Sequence, residues 1–293
     1  MDISVIIPAY NSEKFISKTI ESVLYQKFEG TFEVLVANDA STDSTPVIIS
    51  DYQSKYPNII KATVRENNIG YSANYYDLIN KASGKYLAVL DHDDVWLSDV
   101  KLQKQFNFLE SHPEIGMLCG DVKLIDEEGN EEKVVERETE GVLSLTELMM
   151  EKTYLYSPTL MMRTSVLKRM VDEEDCSWYI ENKSFYDDMW AFYFAYKSKI
   201  YWMKDCLAAY RNLKNSGCHS TKVNEQFELS KRYYKLKLHF LLTHDIIISE
   251  KEQIFLNEYD KLYKESYYKG EMSVRSSKSY RIIKLIRSLK FWK

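Results

Sequence analysis

Residues 85–97 read KYLAVLDHDDVWL, and this stretch decides the fold that the sequence predicts. Its first half, Tyr86–Leu90, is a continuous apolar run whose length is typical of a central strand buried on both faces. Asp91, Asp93 and Asp94 follow within four positions. So much like charge at the end of a buried strand is costly unless a cation or a catalytic task offsets it. Because ligands of open α/β sheets bind outside the carboxyl ends of the strands, we predict a metal site here; the alternative is an acidic turn that only begins the next helix.

The sequence before this stretch alternates short apolar runs with amphipathic segments. Helices are predicted between the runs, the last of them from Ser72 to Lys81. With short connections, this β-α-β-α-β-α-β order is typical of an α/β fold, in which helices cover a mostly parallel sheet. The predicted strands are Ile3–Ile7, which Pro8 ends, Phe32–Ala37, Ile59–Val64 and Tyr86–Leu90.

The second half has a less regular pattern, as if smaller elements were laid against this sheet. It predicts strands at Ile115–Cys119, Lys123–Ile125 and Ser157–Met162, and an aromatic helix from Phe185 to Tyr196. The expected organisation is one domain of residues 1–220 with halves 1–98 and 99–220, then a C-terminal helical extension (221–271) and a basic tail (272–293).

The composition excludes several classes of protein. The net charge is −5, which argues against a general nucleic-acid binder. The four cysteines form no CxxC pair, so we expect reduced thiols in a cytoplasmic protein. The N-terminus enters a strand at once without a signal-peptide pattern, and no apolar run approaches the roughly 18 residues that span a bilayer. We therefore expect neither secretion nor a membrane-spanning segment.

The C-terminal tail differs electrostatically from the rest of the chain. Residues 272–293 contain seven Lys/Arg and no Asp/Glu. On a helical wheel the apolar side chains form one stripe, and a basic amphipathic segment of this kind can lie on an anionic membrane surface. We expect residues 278–293 to contact the inner face of the plasma membrane; the alternative is a helix docked on the acidic body of the chain. The stripe consists of Ile282, Leu285, Ile286, Leu289 and Trp292.

Two carboxylates of the acidic stretch are spaced to share a cation. Asp91 and Asp93 are separated by one residue, so in an extended strand end both side chains point to the same side. Mg²⁺ or Mn²⁺ held by few protein ligands keeps its other positions for water and phosphate oxygens. The implied ligand is a nucleotide diphosphate or a similar polyanion.

Four short motifs follow one another along the chain: Val5–Asn11 (VIIPAYN), Val36–Asp43 (VANDASTD), Asn68–Gly70 (NIG) and Asp91–Asp93 (DHD). In this order and at this spacing they resemble the motifs of family 2 glycosyltransferases of the bacterial polysaccharide or glycolipid type. The resemblance runs from Met1 to about Arg211. It implies the GT-A fold and an inverting transfer of a sugar from a nucleotide-diphosphate donor to a hydroxyl of a glycan or lipid-linked acceptor.

The resemblance assigns nucleotide-binding roles to residues at the ends of the first strands. Asp39 would accept a hydrogen bond from the imide N–H of the base, which favours a UDP- or dTDP-sugar; the alternative is an Asx-type turn residue. Asp93 would hold Mn²⁺ or Mg²⁺, and Ala40 departs from the glycine that the family often has there. The nucleotide-binding set implied by the resemblance is Ala9, Tyr10, Asp39, Asn68 and Asp91, with Asp91 near the ribose or the metal.

A second acidic pair, Asp187-Asp188, resembles the Glu-Asp pair that begins a helix in the acceptor half of the family. The second acid of that pair is the general base, so the resemblance implies Asp188, with Asp187 as the alternate because it replaces the usual glutamate. Without that role, both acids are first-turn residues that suit the helix dipole. Arg211 or His219 would assist the phosphates from a mobile segment, or else be structural.

The implied mechanism is a metal-assisted single displacement. Asp188 would take a proton from an acceptor hydroxyl, which attacks the anomeric carbon from the face opposite the nucleotide, while the metal neutralises charge on the departing diphosphate. Two alternatives stay open. One is a phosphatase of the haloacid dehalogenase type, with Asp91 as nucleophile and Asp93 beside it. The other is a nucleotide-sugar binding module without turnover.

Overall fold

The computed structural model describes residues 1–149, 154–213, 223–244 and 246, and its first part is a run of strand–helix units. Apolar and β-branched residues form the strands, and the polar segments between them form helices that turn an apolar face to the sheet. The predicted strand–helix order is confirmed. The elements are β1 (Ile3–Ala9), α1 (Ile16–Leu24), β2 (Phe32–Asn38), α2 (Thr45–Lys55), β3 (Ile60–Val64), α3 (Tyr71–Lys81) and β4 (Tyr86–Val89).

The second part consists of shorter elements. The two strands predicted at 115–119 and 123–125 are one strand, β6, and the strand predicted at 157–162 is a 3₁₀ turn followed by a short strand. Pro158 lies in that turn, where its fixed φ suits helical geometry. The elements are β5 (Val95–Trp96), α4 (Lys101–Ser111), β6 (Met117–Ile125), β7 (Glu131–Val135), β8 (Gly141–Leu143), α5 (Leu145–Met149), the 3₁₀ turn (Ser157–Thr159), β9 (Met161–Arg163), α6 (Thr164–Glu173), α7 (Cys176–Glu181), α8 (Asp187–Lys197), β10 (Ile200–Arg211) and α9 (Val223–Thr243).

The described strands form one mixed sheet in the order β3-β2-β1-β4-β9-β6-β10-β5, with β7 also paired to β6 and β8 to β10. The first four strands in this order are parallel, and β6 and β10 are parallel to each other. β9 is antiparallel to both β4 and β6 and joins the two parts of the sheet. The carboxyl ends of β1, β2 and β4 therefore lie at one edge, where Asp39 and Asp91 follow.

Strand β1 continues through Pro8, although the sequence predicts its end there. The carbonyl of Ile6 accepts a hydrogen bond from the N–H of Leu90 (3.1 Å), so Ile6 faces β4 and Pro8, two residues on, faces the same side. Since β4 ends at Val89, no strand among the described residues lies beside Pro8 on that side. The N–H that proline lacks therefore leaves no strand carbonyl unpaired.

The core lies on both faces of the central strands. Every residue of β1 and β4 is buried, which confirms the prediction of a strand buried on both faces. Helix α3 contacts β1 and β2. Apolar side chains of α1, α2 and α4 pack against alternate residues of the strands, in a cluster that includes Val5, Ile7, Ile20, Ile49, Ala88, Leu102 and Leu109.

The chain divides into two compact units, Met1–Arg232 and Tyr233–Lys293. The predicted domain boundary at residue 220 and the basic tail lie outside the described residues. In the part of the chain that the structure describes, no helix combines the length and the apolar character needed to cross a membrane.

Candidate active site

Three aspartates follow β4 in a turn and not in an extended strand end. β4 ends at Val89, and the N–H of Asp94 donates to the carbonyl of Asp91 (3.1 Å). The extended conformation predicted for Asp91–Asp93 is therefore wrong. The turn keeps the two carboxylates close enough for the charge of Asp93 to add to burial in raising the pKa of Asp91.

The carboxylate of Asp91 accepts hydrogen bonds from two hydroxyl groups. Tyr75 on α3 donates to Oδ1 (2.5 Å), and Ser157 in the 3₁₀ turn donates to Oδ2 (2.6 Å). These bonds favour the ionised carboxylate and act against the burial that raises its pKa. Each oxygen keeps a second lone pair that can meet a ligand.

Asp94 is fully buried and supports the turn from the inside. Its Oδ1 accepts a hydrogen bond from the N–H of Arg211 (2.8 Å), and the hydroxyl of Thr19 donates to its carbonyl (2.8 Å). Its Oδ2 has no hydrogen-bond partner among the described residues. Burial, followed by the charges of Asp93 and Asp91, raises the pKa of Asp94 well above its ordinary value. Asp94 therefore fixes the turn from within the core.

Arg211 is the last residue of β10 and is buried, so its predicted location on a mobile segment is wrong. Its guanidinium donates to the carbonyls of Asp93 (2.8 Å), Asp126 (2.8 Å) and Glu127 (2.9 Å). Arg211 thus ties the acidic turn to the loop after β6. Its contact with a phosphate stays a prediction, and His219 lies outside the described residues.

Asp39, at the end of β2, binds the loop that follows β3. Its Oδ1 and Oδ2 accept hydrogen bonds from the N–H groups of Ile69 and Gly70 (both 2.9 Å), and the amide of Asn68 donates to its carbonyl (3.0 Å). Arg65 lies 3.6 Å from Oδ1. The structure therefore brings together Asp39 and Asn68, two of the predicted nucleotide-binding residues, with Asp39 only 3% exposed.

Ala9 and Tyr10 lie beside Asp39 at the end of β1. The carbonyl of Ala9 accepts a hydrogen bond from the N–H of Asp39 (2.8 Å), whereas the side chain of Tyr10 is exposed. Ala40, which stands where the family often has glycine, has a backbone φ of 56°. This is the left-handed region that glycine adopts without strain, so alanine takes the glycine conformation there at some cost.

Asp187 and Asp188 begin α8, within electrostatic reach of the acidic turn. Burial, followed by the charges of Asp188 and Asp91, raises the pKa of Asp187 well above its ordinary value. Burial and the charge of Asp91 also raise the pKa of Tyr75, and the charge of Asp187 adds to this shift. The two predicted acidic groups, far apart in sequence, therefore lie close together around the first turns of α3.

The acidic turn, Asp91–Asp94, suits a hard divalent cation whose remaining coordination positions are filled by water and substrate. In the described part of the chain, no group of three or more His, Cys, Asp or Glu side chains is arranged to hold a metal ion. Mg²⁺ commonly binds through one or two carboxylates, while water and substrate phosphates fill the remaining positions. Asp91, oriented by its hydroxyl donors, and Asp93, partly exposed in the turn, can supply such a pair.

Tyr75 and Ser157, which donate hydrogen bonds to Asp91, are not among the site residues that the sequence predicts. For Tyr75 the sequence offers a usable signal: Tyr71 and Tyr75 are four positions apart on α3, so both lie on one face of the helix. Ser157 has no comparable signal, because it lies in a segment with the pattern of a strand and its contact with Asp91 is long-range.

A model of the family described as Glycosyl transferase family 2 matches residues 4–175 of the chain. An uncharacterized protein of Mycobacterium tuberculosis is 39% identical over 43% of this chain and 36% of its own length. An uncharacterized glycosyltransferase of Methanocaldococcus jannaschii is 29% identical over 81% of this chain and 79% of its own length. A poly(ribitol-phosphate) beta-glucosyltransferase of Bacillus spizizenii is 35% identical over 37% of this chain and 17% of its own length. The chain thus spans little more than a third of the mycobacterial relative.

Solved structures share the fold. S. aureus TarS 1-349 in complex with UDP superposes with a TM-score of 0.62 and 24% identity over 88% of this chain and 70% of that one. The mannosyltransferase PcManGT from Pyrobaculum calidifontis, in complex with GDP-Man and Mn²⁺, gives a TM-score of 0.52 and 14% identity over 99% of this chain and 88% of that one. At these identities the likeness concerns the fold alone, and the predicted GT-A fold is confirmed.

Proposed function

Because the chain belongs to glycosyl transferase family 2, we propose that it transfers a sugar from a nucleotide-diphosphate donor to a hydroxyl group, with inversion at the anomeric carbon. The proposal rests on the closeness of two acidic groups from distant parts of the sequence. Asp91 follows β4 in residues 1–98, the proposed donor half, and Asp187 begins α8 in residues 99–220, the proposed acceptor half. Tyr75 links the two groups, since its hydroxyl donates to Asp91 and its ring packs against Trp190 of α8 (centroids 5.0 Å apart). In keeping with this closeness, the charge of Asp91, after burial and the charge of Asp188, raises the pKa of Asp187. A transferase needs this closeness, since the leaving diphosphate and the general base act on one anomeric carbon.

The donor nucleotide is proposed to bind at the ends of β1, β2 and β4. Asp39 is buried beside Ala9 and is held by the amides of Ile69 and Gly70. Each of its oxygens keeps a second lone pair, which can accept the imide N–H of uracil or thymine. A UDP- or dTDP-sugar would satisfy this acceptor, and a structural neighbour was solved with UDP, which supports the proposal.

Mn²⁺ or Mg²⁺ is proposed to bind at Asp91 and Asp93. Such an ion, when bound, supplies positive charge beside the departing diphosphate. Two hydroxyl donors hold Asp91, and Arg211 bonds the carbonyl of Asp93, so the residues that would hold the ion are fixed by the fold. A neighbour with the same fold was solved with Mn²⁺, which supports a divalent ion.

Asp188 is proposed as the general base, next to Asp187, whose pKa is raised. In a pair of adjacent carboxyl groups, the one with the raised pKa takes up the shared proton first and leaves the other ionised. Burial and the charges of Asp188 and Asp91 raise the pKa of Asp187, which supports Asp188 as the member that acts as the base. Asp188 would accept the proton of the acceptor hydroxyl while the oxygen of that hydroxyl forms a bond to the anomeric carbon. The bond from that carbon to the diphosphate breaks on the opposite face, and its electron pair leaves with the nucleotide.

The acceptor is proposed to be a hydroxyl of a cell-envelope glycan or a lipid-linked saccharide. One relative acts on a poly(ribitol-phosphate), according to its name, which supports an envelope polymer. The predicted basic tail (272–293), including residues 278–293 that are expected to contact the membrane, lies outside the described residues. If it binds anionic lipid, it would hold the enzyme at the inner face of the plasma membrane, beside a lipid-linked acceptor.

Incubation with a panel of labelled UDP-, dTDP- and GDP-sugars tests the proposal. With Mn²⁺ and no acceptor, we expect slow release of the nucleotide diphosphate from one donor, and no release after chelation. In this hydrolysis water takes the place of the acceptor hydroxyl, so Asp188→Asn should lower the rate on the order of 10²–10⁴-fold and leave UDP affinity unchanged. Asp187→Asn is the matched control and should lose far less; the reverse order of the two losses would move the base to Asp187.

Two other functions give different results in the same assay. Release of phosphate from a phosphomonoester would indicate the phosphatase. Two observations disfavour it: the family match, and the place of Asp91 after the fourth strand and not the first. Binding of UDP without turnover of any donor would indicate a binding module. Asp93→Ala should reduce the affinity for UDP in Mn²⁺ to the value measured with a chelator, and unchanged affinity would refute the metal role.

A further inference from the structure

The carboxylate of Asp91 has one hydroxyl donor on each oxygen. The distances from Tyr75 Oη to Oδ1 (2.5 Å) and from Ser157 Oγ to Oδ2 (2.6 Å) are those of hydrogen bonds to an ionised carboxylate. A carboxylate that is bonded through one oxygen can still rotate, because its terminal torsion is broad. Donors on both oxygens, one from α3 and one from the 3₁₀ turn, fix the plane of the group.

Tyr75 is held in place by its ring. The side chain is 1% exposed, and its ring meets those of Tyr71 (centroids 4.7 Å apart) and Trp190 (5.0 Å apart) edge to face. Trp190 belongs to α8, the helix that begins with Asp187. The hydroxyl that orients Asp91 is therefore positioned by the same helix that carries the acidic pair of the acceptor half.

The turn that carries Ser157 is held through its carbonyl groups. Nε1 of Trp96 donates to the carbonyl of Pro158 (3.0 Å), and Nε2 of Gln105 donates to the carbonyl of Thr159 (2.7 Å). Trp96 and Gln105 are both buried. The backbone of the turn is thus fixed by two buried side chains, whether or not residue 157 carries a hydroxyl.

We propose that Tyr75 and Ser157 are positioning residues that clamp the Asp91 carboxylate, so that its remaining lone pairs meet the ribose or the cation of a bound donor in one orientation. The proposal rests on the donor-site role proposed for Asp91. The two hydroxyls act on donor binding through Asp91. The fold does not depend on them, because Tyr75 packs through its ring and the turn is held through its carbonyls.

Tyr75→Phe and Ser157→Ala each remove one hydroxyl and leave the ring and the turn in place. By calorimetry, each should weaken the binding of UDP in the presence of Mn²⁺ by about 10-fold, the lower end for groups that orient a metal ligand. Ser157→Thr keeps a hydroxyl and should restore most of the affinity. Tyr76→Phe is the matched control and should change nothing, because Tyr76 is the next residue of α3 and packs against Phe185 (centroids 5.5 Å apart).

A double-mutant cycle separates the clamp from a general structural role. In an Asp91→Ala background, Tyr75→Phe should have no further effect on the affinity for UDP, because the group that it orients is gone. A second 10-fold loss in that background would overturn the clamp. Wild-type affinity in both Tyr75→Phe and Ser157→Ala would also overturn it.

Failure of the proposed donor site gives a different pattern. If Asp91→Ala binds UDP and Mn²⁺ as the wild type does, the role of Asp91 is wrong and the clamp falls with it. If Asp91→Ala loses binding and the hydroxyl variants keep it, the clamp alone is wrong. Crystal structures without ligand decide independently of binding: both hydroxyl contacts should be present in the wild type, and the carboxylate of Asp91 should rotate in Tyr75→Phe. An unmoved carboxylate would overturn the clamp.

Discussion

Replacing Lys101 by methionine should change how the stability of the protein depends on pH. Lys101 begins α4 and is fully buried. Its Nζ donates to Oε1 of Gln105 (2.7 Å) and lies 4.4 Å from the centroid of the Trp96 ring. No carboxylate in the described part of the chain forms a salt bridge with it. Burial lowers the pKa of Lys101 from 10.5 to about 7.

The magnitude follows from proton linkage. Above pH 7 the folded protein releases the proton of Lys101, whereas the unfolded chain keeps it up to about pH 10.5. The unfolded state then binds more protons, so stability rises with pH at up to about 1.4 kcal/mol per unit. Between pH 7 and pH 9 this amounts to a gain of about 2 kcal/mol in the wild type. The Trp96 ring attracts the ammonium form and acts against the gain, so this figure is an upper value.

Urea unfolding of the wild type and Lys101→Met at pH 7, 8 and 9 measures this difference. The variant also leaves Oε1 of buried Gln105 without its donor, which by itself costs about 1–3 kcal/mol at every pH. The test therefore compares how the free energy of unfolding changes with pH in the two proteins, and not its absolute value. Groups such as Cys119 titrate in both proteins and cancel in the comparison. Parallel stability curves would show that Lys101 titrates alike in both states and would refute the burial argument.

Two further predictions concern stability. Burial raises the pKa of Glu33, but hydrogen bonds from Lys61, Ser4 and Ser83 outweigh burial and lower the pKa to about 2. The ionised carboxylate therefore stabilises the fold above pH 4.5, and this contribution is lost as the pH falls toward 2. Compared with Glu33→Gln, the wild type should lose about 2 kcal/mol between pH 7 and pH 3 in urea unfolding, and equal acid sensitivity of the two proteins would contradict this. Ala40→Gly should raise the free energy of unfolding by about 0.5 kcal/mol, because the relief of strain at a φ of 56° exceeds the added entropy of the unfolded chain. A lower urea midpoint for this variant would argue against strain at Ala40.

The donor half of the fold could be predicted because its pattern is local. Tyr86–Val89 is buried on both faces, and the continuous apolar run reports this directly. The end of β1 could not be placed as well, because whether Pro8 ends a strand depends on where β4 stops. That information lies about 80 residues away in the sequence, so no local pattern contains it.

The contact between Ser157 and Asp91 could not be predicted because it depends on β9. This strand has three residues, too few for a clear pattern, and it runs antiparallel to β4 with Met161 opposite Ala88 and Arg163 opposite Tyr86. Residues that precede β9 therefore lie beyond the carboxyl end of β4, which is where Asp91 begins the acidic turn. The pairing of one short strand thus delivers a hydroxyl to the site from a distant segment.

The charge around the acidic turn argues for a cation in donor binding. Asp91 and Asp93 lie close enough to affect each other, and the guanidinium of Arg211 is directed to backbone carbonyls. A diphosphate would add negative charge here, and two like charges about 4 Å apart repel by roughly 4 kcal/mol at an effective dielectric constant of 20. Either a cation or protons on the carboxylates must offset this repulsion. The hydroxyls of Tyr75 and Ser157 both donate to Asp91 and so favour its ionised form. The ionised carboxylate can bind a cation, whereas protonation would abolish its charge. At neutral pH we therefore expect UDP affinity to depend on the divalent ion more than on acidification.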